Sequence, residues 1–175
     1  VAGVSWGVLA RETCCGEPAR RAGNEYLYLE LSEQLTESFR EKNVMKLVSC
    51  CPHCTRMLDV DYRQIASYQS LGIEVLHHTE LLDQLLPSLS LQPSGEKLTF
   101  HDPCYLARGR GITRQPRNIL QACGAEITEM GRNRERTFCC GAGGAQLFIA
   151  DDTADAPGGR VNHKRFEQAA ATGAS

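Results

Sequence analysis

Val44-Met45-Lys46-Leu47-Val48-Ser49-Cys50-Cys51-Pro52-His53-Cys54 is the stretch that decides the fold. Residues 44–49 read as a buried strand, which delivers Cys51-Pro52-His53-Cys54 at its C-terminal end. Helical patterns flank it. Upstream, within residues 18–42, Leu27, Leu31, Leu35 and Phe39 recur about once per turn with charges between them. Downstream, the pattern predicts a helix over 53–67 and a strand over 73–77. Thr79 then caps a helix carrying Leu81, Leu82, Leu85 and Leu86, which Pro87 ends. A short strand over 4–9 is expected ahead of the first helix.

Residues 88–95 (Ser-Leu-Ser-Leu-Gln-Pro-Ser-Gly) read as a linker, after which the pattern restarts. A strand is expected over 97–101, a helix around 116–123 and a strand over 125–130. An irregular acidic stretch runs from Asp151 to Gly159, and a helix over 161–172 closes the chain. Strands alternating with helices predict an α/β chain: two similar small α/β units, residues 1–92 and 93–175, with largely parallel sheets. Both groups of cysteines then fall at strand C-terminal ends, where such sheets place ligands.

The cysteines are arranged in two matching sets. Between the pair Cys14-Cys15, followed by Gly16, and Cys51-Pro52-His53-Cys54 lie 35 residues; between Cys104 and Cys139-Cys140-Gly141 lie 34. Adjacent cysteines are poor disulfide partners, because their Cα atoms lie about 3.8 Å apart, short of the roughly 4.4–6.8 Å of unstrained bridges. Two soft thiolates on one turn suit a metal centre instead, above all one with several metal atoms. Iron–sulfur chemistry is the leading reading. Structural zinc on Cys14, Cys15, Cys51 and Cys54 is the second, and thiol–disulfide chemistry at Cys51 and Cys54 the third.

Other residues carry weaker signals. Cys50 points away from Cys51 on a strand and is not expected to be a ligand. Cys123 reads as a small buried apolar residue. In His101-Asp102-Pro103-Cys104, the histidine and carboxylate either orient the site or simply end a strand. His53 lies beside the site without being a ligand, and His77-His78 suit hydrogen bonding better than metal binding. Gly141-Ala142-Gly143-Gly144 lets the backbone approach a cofactor and aim amide N–H groups at sulfur. Arg108, Arg110, Arg114 and Arg117 read as a basic loop, by default a solvated face and alternatively a docking surface for an acidic redox partner.

Composition narrows the function. The 175 residues are 42% hydrophobic and 23% charged, which supports a globular core. A net charge of −2 gives no general attraction to nucleic acid, and aromatic residues are not interleaved with the arginines. No run approaches the length of a membrane helix, and the N-terminus lacks the features of a signal peptide. Nine cysteines, an odd number with vicinal pairs, fit metal-bound thiolates in a reducing cytoplasm better than a secreted disulfide scaffold. A start at Val1 and an end at Ser175, just after a helical pattern, lead us to expect part of a longer protein.

Cys-Cys-Gly, Cys-Pro-His-Cys, His-Asp-Pro-Cys-Tyr-Leu and Cys-Cys-Gly-Ala-Gly-Gly together resemble the cysteine-rich CCG domain family over nearly the whole chain. That family includes heterodisulfide reductase B-type subunits and the iron–sulfur subunits of glycolate and lactate oxidation systems. It also includes iron–sulfur oxidoreductases fed by electron-transfer flavoprotein, which His77-His78-Thr79-Glu80-Leu81-Leu82 and Asn133-Arg134-Glu135 resemble most. The resemblance assigns Cys14, Cys15, Cys51 and Cys54 to a first repeat and Cys104, Cys139 and Cys140 to a second. The family's lone cysteine before the first pair and its final Cys-x-x-Cys would lie beyond the chain's ends. The resemblance implies a 4Fe–4S cluster, in some members noncubane, with zinc in one repeat of others. It also implies electron transfer beside flavoprotein, ferredoxin-type or quinone-reactive subunits, in the cytoplasm or at the cytoplasmic face of a membrane. Ala145 and Gln146 depart from the glycine and basic residue of many relatives.

Overall fold

The structure, a computed structural model, describes residues 2–148 and 159–174. The chain divides into two compact units, with the boundary between His78 and Thr79.

In the first unit, α1 (Glu17–Arg21) and α2 (Glu25–Glu41) replace the single helix expected over 18–42. The Asn24 side chain accepts the Leu27 N–H at 3.1 Å, so a new helix is capped within what the pattern reads as one. α2 buries Tyr28, Ser32, Leu35, Thr36 and Phe39, while Leu27 faces solvent. Ser32 and Thr36 can join that face because their hydroxyls donate to the Leu29 and Ser32 carbonyls at 2.8 and 2.7 Å.

β1 (Lys46–Ser49) pairs in parallel with β2 (Glu74–His77), Lys46 opposite Glu74 and Ser49 opposite His77. Between them the helix expected over 53–67 is broken into α3 (Pro52–Arg56), a π turn at Met57–Asp61, a 3-10 turn at Tyr62–Gln64 and α4 (Ala66–Gln69). The widened turn and the 3-10 turn after it bury Met57, Leu58 and Tyr62. They pack with Tyr28, Leu35, Phe39, Tyr68, Ile73 and Val75. Tyr62 and Tyr68 meet edge to face at 5.1 Å.

Two expectations fail here. Residues 4–9 form no strand; Trp6 is 80% exposed, and no described strand offers their backbone a partner. β1 is not buried: its residues alternate between exposed and half-buried, and it is β2 that carries the buried face.

In the second unit, α5 (His78–Leu85) leads through residues 89–96 to β3 (Lys97–Leu98). β3 pairs in parallel with β4 (Glu126–Ile127), and α6 (Cys104–Arg110) and α7 (Arg114–Ala122) cross between them. Both strands are shorter than expected, and the residues beyond them carry side-chain bonds to arginines. His101 and Asp102 bond Arg165 and Arg117, and Glu129 bonds Arg117. The expected basic loop is largely helical. Arg110 pairs with Glu80, Arg108 donates to the Thr137 carbonyl, and Arg117 is 4% exposed. α8 (Val161–Ala170) occupies the expected closing helix. The acidic stretch expected over 151–159 lies, up to residue 158, outside the described residues. Among the described residues no helix is long and apolar enough to cross a membrane.

Candidate metal centres

All nine cysteines are free thiols. The first candidate group forms where the turn before α1 meets the start of α3. Cys15 is 4% exposed, and its Sγ lies 3.3 Å from Cys54 Sγ. Cys51 caps α3, whose Pro52 has a fixed φ and no N–H to waste in the first turn. The Ser49 hydroxyl accepts the Cys51 N–H at 3.1 Å, and the Cys51 carbonyl accepts from the Thr55 N–H and hydroxyl, each at 2.9 Å. Tyr62 donates its hydroxyl to the Cys15 carbonyl at 3.0 Å. Cys14 is exposed.

Neighbouring thiols this close shift one another's ionisation. A hydrogen bond from Cys54 lowers the pKa of Cys15, against the opposing effect of burial. Hydrogen bonds from Cys54 and His53 bring Cys51 down to about 3. Cys54, donor to both, is pushed up. His53, 4.0 Å from Cys51 Sγ, is raised chiefly by that contact.

The second group comprises Cys104 at the start of α6 and the pair Cys139-Cys140, all partly buried. Burial, followed by the charges of Cys139 and Cys140, raises Cys104, which puts the three within electrostatic reach of one another. The two vicinal motifs share one turn. Gly16 and Gly141 have φ of 76° and 80°, and each donates its N–H back to the first sulfur of its pair, Cys14 at 3.4 Å and Cys139 at 3.3 Å. A Cβ at Gly16 would come within 3.0 Å of the Tyr28 ring, and one at Gly141 within 3.2 Å of Val161 Cβ. Only glycine fits this turn in either motif.

Ion pairs brace the second group. Arg117 reaches both oxygens of Asp102 (2.7 and 2.8 Å) and both of Glu129 (2.5 and 2.8 Å). Asp102, 1% exposed, also accepts the Arg134 N–H at 2.7 Å, and its carbonyl accepts the Thr137 hydroxyl at 2.8 Å. Burial would raise Asp102, but bonds from Arg117 and Arg134 leave its pKa lowered; Glu129 is lowered first by Arg117.

The sequence reading missed Arg117, Glu129, Thr137 and Arg165 as supports. For Arg117 a signal exists: with Ile112, Thr113 and Pro116 it repeats at the spacing of a buried helix face. Of the other cysteines, Cys50 is exposed and Cys123, expected to be buried, is only half-buried.

The donors are chemically suited to soft metals. Among the described residues no three His, Cys, Asp or Glu side chains converge on a single ion position. Thiolate sets of this kind are the donors of iron–sulfur clusters and of structural zinc alike.

The profile of the cysteine-rich (CCG) domain family matches residues 1–59 and 98–175. The chain is 41% identical to an EtfAB:quinone oxidoreductase of Syntrophomonas wolfei, over 95% of this chain and 24% of that protein. It is 38% identical to a probable iron-sulfur-binding oxidoreductase, FadF, of Bacillus subtilis, over 99% of this chain and 24% of that one. A polypeptide of the dihydromethanophenazine:CoB–CoM heterodisulfide reductase of Methanosarcina barkeri is 31% identical over 89% of this chain and 40% of its own length. The chain thus spans about a quarter of the length of the first two relatives. No solved structure matches it significantly.

Proposed function

This chain belongs to the cysteine-rich CCG domain family, and from that membership we propose that it is an iron–sulfur electron-transfer module of an oxidoreductase. Cys14, Cys15, Cys51 and Cys54 hold one centre, in a repeat covering residues 1–92. Cys104, Cys139 and Cys140 hold part of a second, in a repeat covering 93–175. The names of the relatives support a flavin-type donor and a quinone or disulfide acceptor. They also support neighbouring subunits or domains of flavoprotein, ferredoxin or quinone-reactive type. An odd number of cysteines with vicinal pairs, which suits metal-bound thiolates better than a disulfide scaffold, supports a place in the cytoplasm or, through other parts of the protein, at the cytoplasmic face of a membrane.

One observation carries the reading: Cys15 of the vicinal pair and Cys54 of the Cys-x-x-Cys lie 3.3 Å apart although 39 positions separate them. A 4Fe–4S cluster on these thiolates supplies one-electron chemistry. The chain's own residues bind it, shield it and set its electrostatics. Lowered pKa values ready Cys15 and Cys51 as thiolates. The Gly16 and Gly141 N–H groups donate to sulfur, which stabilises the reduced state and raises the potential. Tyr28, Met57 and Tyr62 keep water from the Cys15 side.

The test is anaerobic iron, zinc and acid-labile sulfide analysis with EPR on the purified protein. Iron with sulfide, and its loss in Cys15→Ser, is the expected result. Zinc without sulfide overturns the reading and makes the domain structural.

A further inference from the structure

We propose that Arg165 is the positioning residue of the second thiol group, an inference that rests on the cluster reading of Cys104, Cys139 and Cys140. From α8, its guanidinium clamps the two segments that carry those cysteines and brings a fixed positive charge to them. Arg165 is 5% exposed. Its Nε–H donates to His101 Nδ1 at 2.8 Å. One terminal nitrogen donates to the Arg132 carbonyl at 2.9 Å and to Gln168 Oε1 at 3.0 Å; the other donates to Thr137 Oγ1 at 3.4 Å. Thr137 in turn donates to the Asp102 carbonyl at 2.8 Å. One planar group thus joins residues 101 and 102, just before Cys104, to residues 132 and 137, just before Cys139.

Two features separate this clamp from ordinary packing. A guanidinium Nε has only a proton to offer, so His101 Nδ1 must present a lone pair and the imidazole must be neutral. Burial and the nearby Arg165 charge act in the same direction, lowering the His101 pKa. The acceptors of Arg165 are therefore all uncharged, and among the described residues no carboxylate forms an ion pair with it. Arg117, in the same unit, has two. A second cation lies close by: Arg132 stacks on the Phe138 ring at 3.8 Å, one residue before Cys139. Through Thr137, two residues before Cys139, Arg165 brings a fixed positive charge to the segment that carries the vicinal pair.

The test is anaerobic expression of the full protein as wild type, Arg165→Gln, Arg165→Lys and Cys104→Ser. Iron, sulfide, chelator resistance and EPR-monitored midpoint potentials are measured on each. Iron lost in Cys104→Ser defines the second group's share. In Arg165→Gln the one-electron equilibrium of that centre shifts about tenfold toward the oxidised state, a fall of about 59 mV. Arg165→Lys keeps the charge but loses the planar fork. Its potential stays near wild type, while second-group metal affinity, read by chelator competition, falls about tenfold. If Arg165→Gln does not fold, Arg165→Lys decides, and wild-type chelator resistance overturns the clamp. Loaded variants with unchanged potential and affinity overturn the role of Arg165 and leave the cluster reading standing. If Cys104→Ser removes no iron, the cluster reading of that group fails, and the inference fails with it.

Discussion

The two vicinal-cysteine turns are nearly the same object in two different settings. Both use a left-handed glycine whose N–H returns to the first sulfur. In the first unit the turn rests on hydrocarbon and aromatic rings: Cys15 packs into the cluster of Tyr28, Met57 and Tyr62. Three ion pairs of that unit meet at Asp61, from arginines that stay 23–31% exposed. In the second unit the guanidinium groups themselves are buried, and the cysteine-bearing segments hang on Arg117 and Arg165. A shared ligand motif therefore does not imply a shared support. One centre is held chiefly by packing, and the other chiefly by buried charges.

The largest effect should come from cutting the charge lattice. Arg117→Ala leaves Asp102 buried without its partner and frees Glu129, a loss of about 3–5 kcal/mol. Hydrogen exchange read segment by segment should show protection collapsing in the second unit, with the first nearly unchanged. Equal loss in both units would mean that the charge lattice is not confined to the second. Acid should produce a weaker form of the same outcome. The folded pKa of Glu129 lies below its ordinary value of 4.5, so its contribution is complete above that value and drains away as pH falls through the folded one. Asp102 shares the sign. As pH falls below about 4.5, the second unit should lose exchange protection first; a first unit that opens earlier would break the comparison.

The sequence made the first unit's support easier to foresee than the second's. Hydrophobic period and cysteine spacing mark α2, β2 and the Cys51-Pro52-His53-Cys54 turn, because burial of apolar groups leaves a periodic trace. The π turn at Met57–Asp61 left none, since a one-residue widening shifts which side chains face inward without changing their type. Charge lattices are harder still. Arg117, Glu129 and Arg165 are types found mostly at surfaces, and only long-range pairing takes them inside. Thus the arginines around residues 108–117 look like a solvated loop until Asp102 and Glu129 are seen to meet one of them. Strand lengths failed for the same reason. Residues 99–101 and 128–130 keep strand-like sequence, yet the ladder ends at Leu98 and Ile127, and His101 and Glu129 carry side-chain bonds to Arg165 and Arg117 that no pattern announces.

The smallest effect would sharpen the contrast most. Tyr62 in the first unit and Thr137 in the second do parallel jobs, each donating a hydroxyl to a backbone carbonyl beside the cysteines, Cys15 at 3.0 Å and Asp102 at 2.8 Å. Tyr62→Phe removes that one bond while keeping the ring in its edge-to-face contacts with Tyr28 and Tyr68, so the expected loss is about 1 kcal/mol. The carbonyl it abandons belongs to Cys15, so the cost should appear as faster exchange around the first pair, with no change at Cys139-Cys140. Because the bond joins neutral groups in an apolar setting, the loss should be the same at low and high salt. The loss from Arg117→Ala should shrink as salt rises, since salt already weakens the attraction at the half-exposed Glu129 that the substitution removes. Urea midpoints for both variants at two ionic strengths would decide it. If Tyr62→Phe proves as salt-sensitive as Arg117→Ala, packing is not what holds the first centre, and the two turns are supported alike after all.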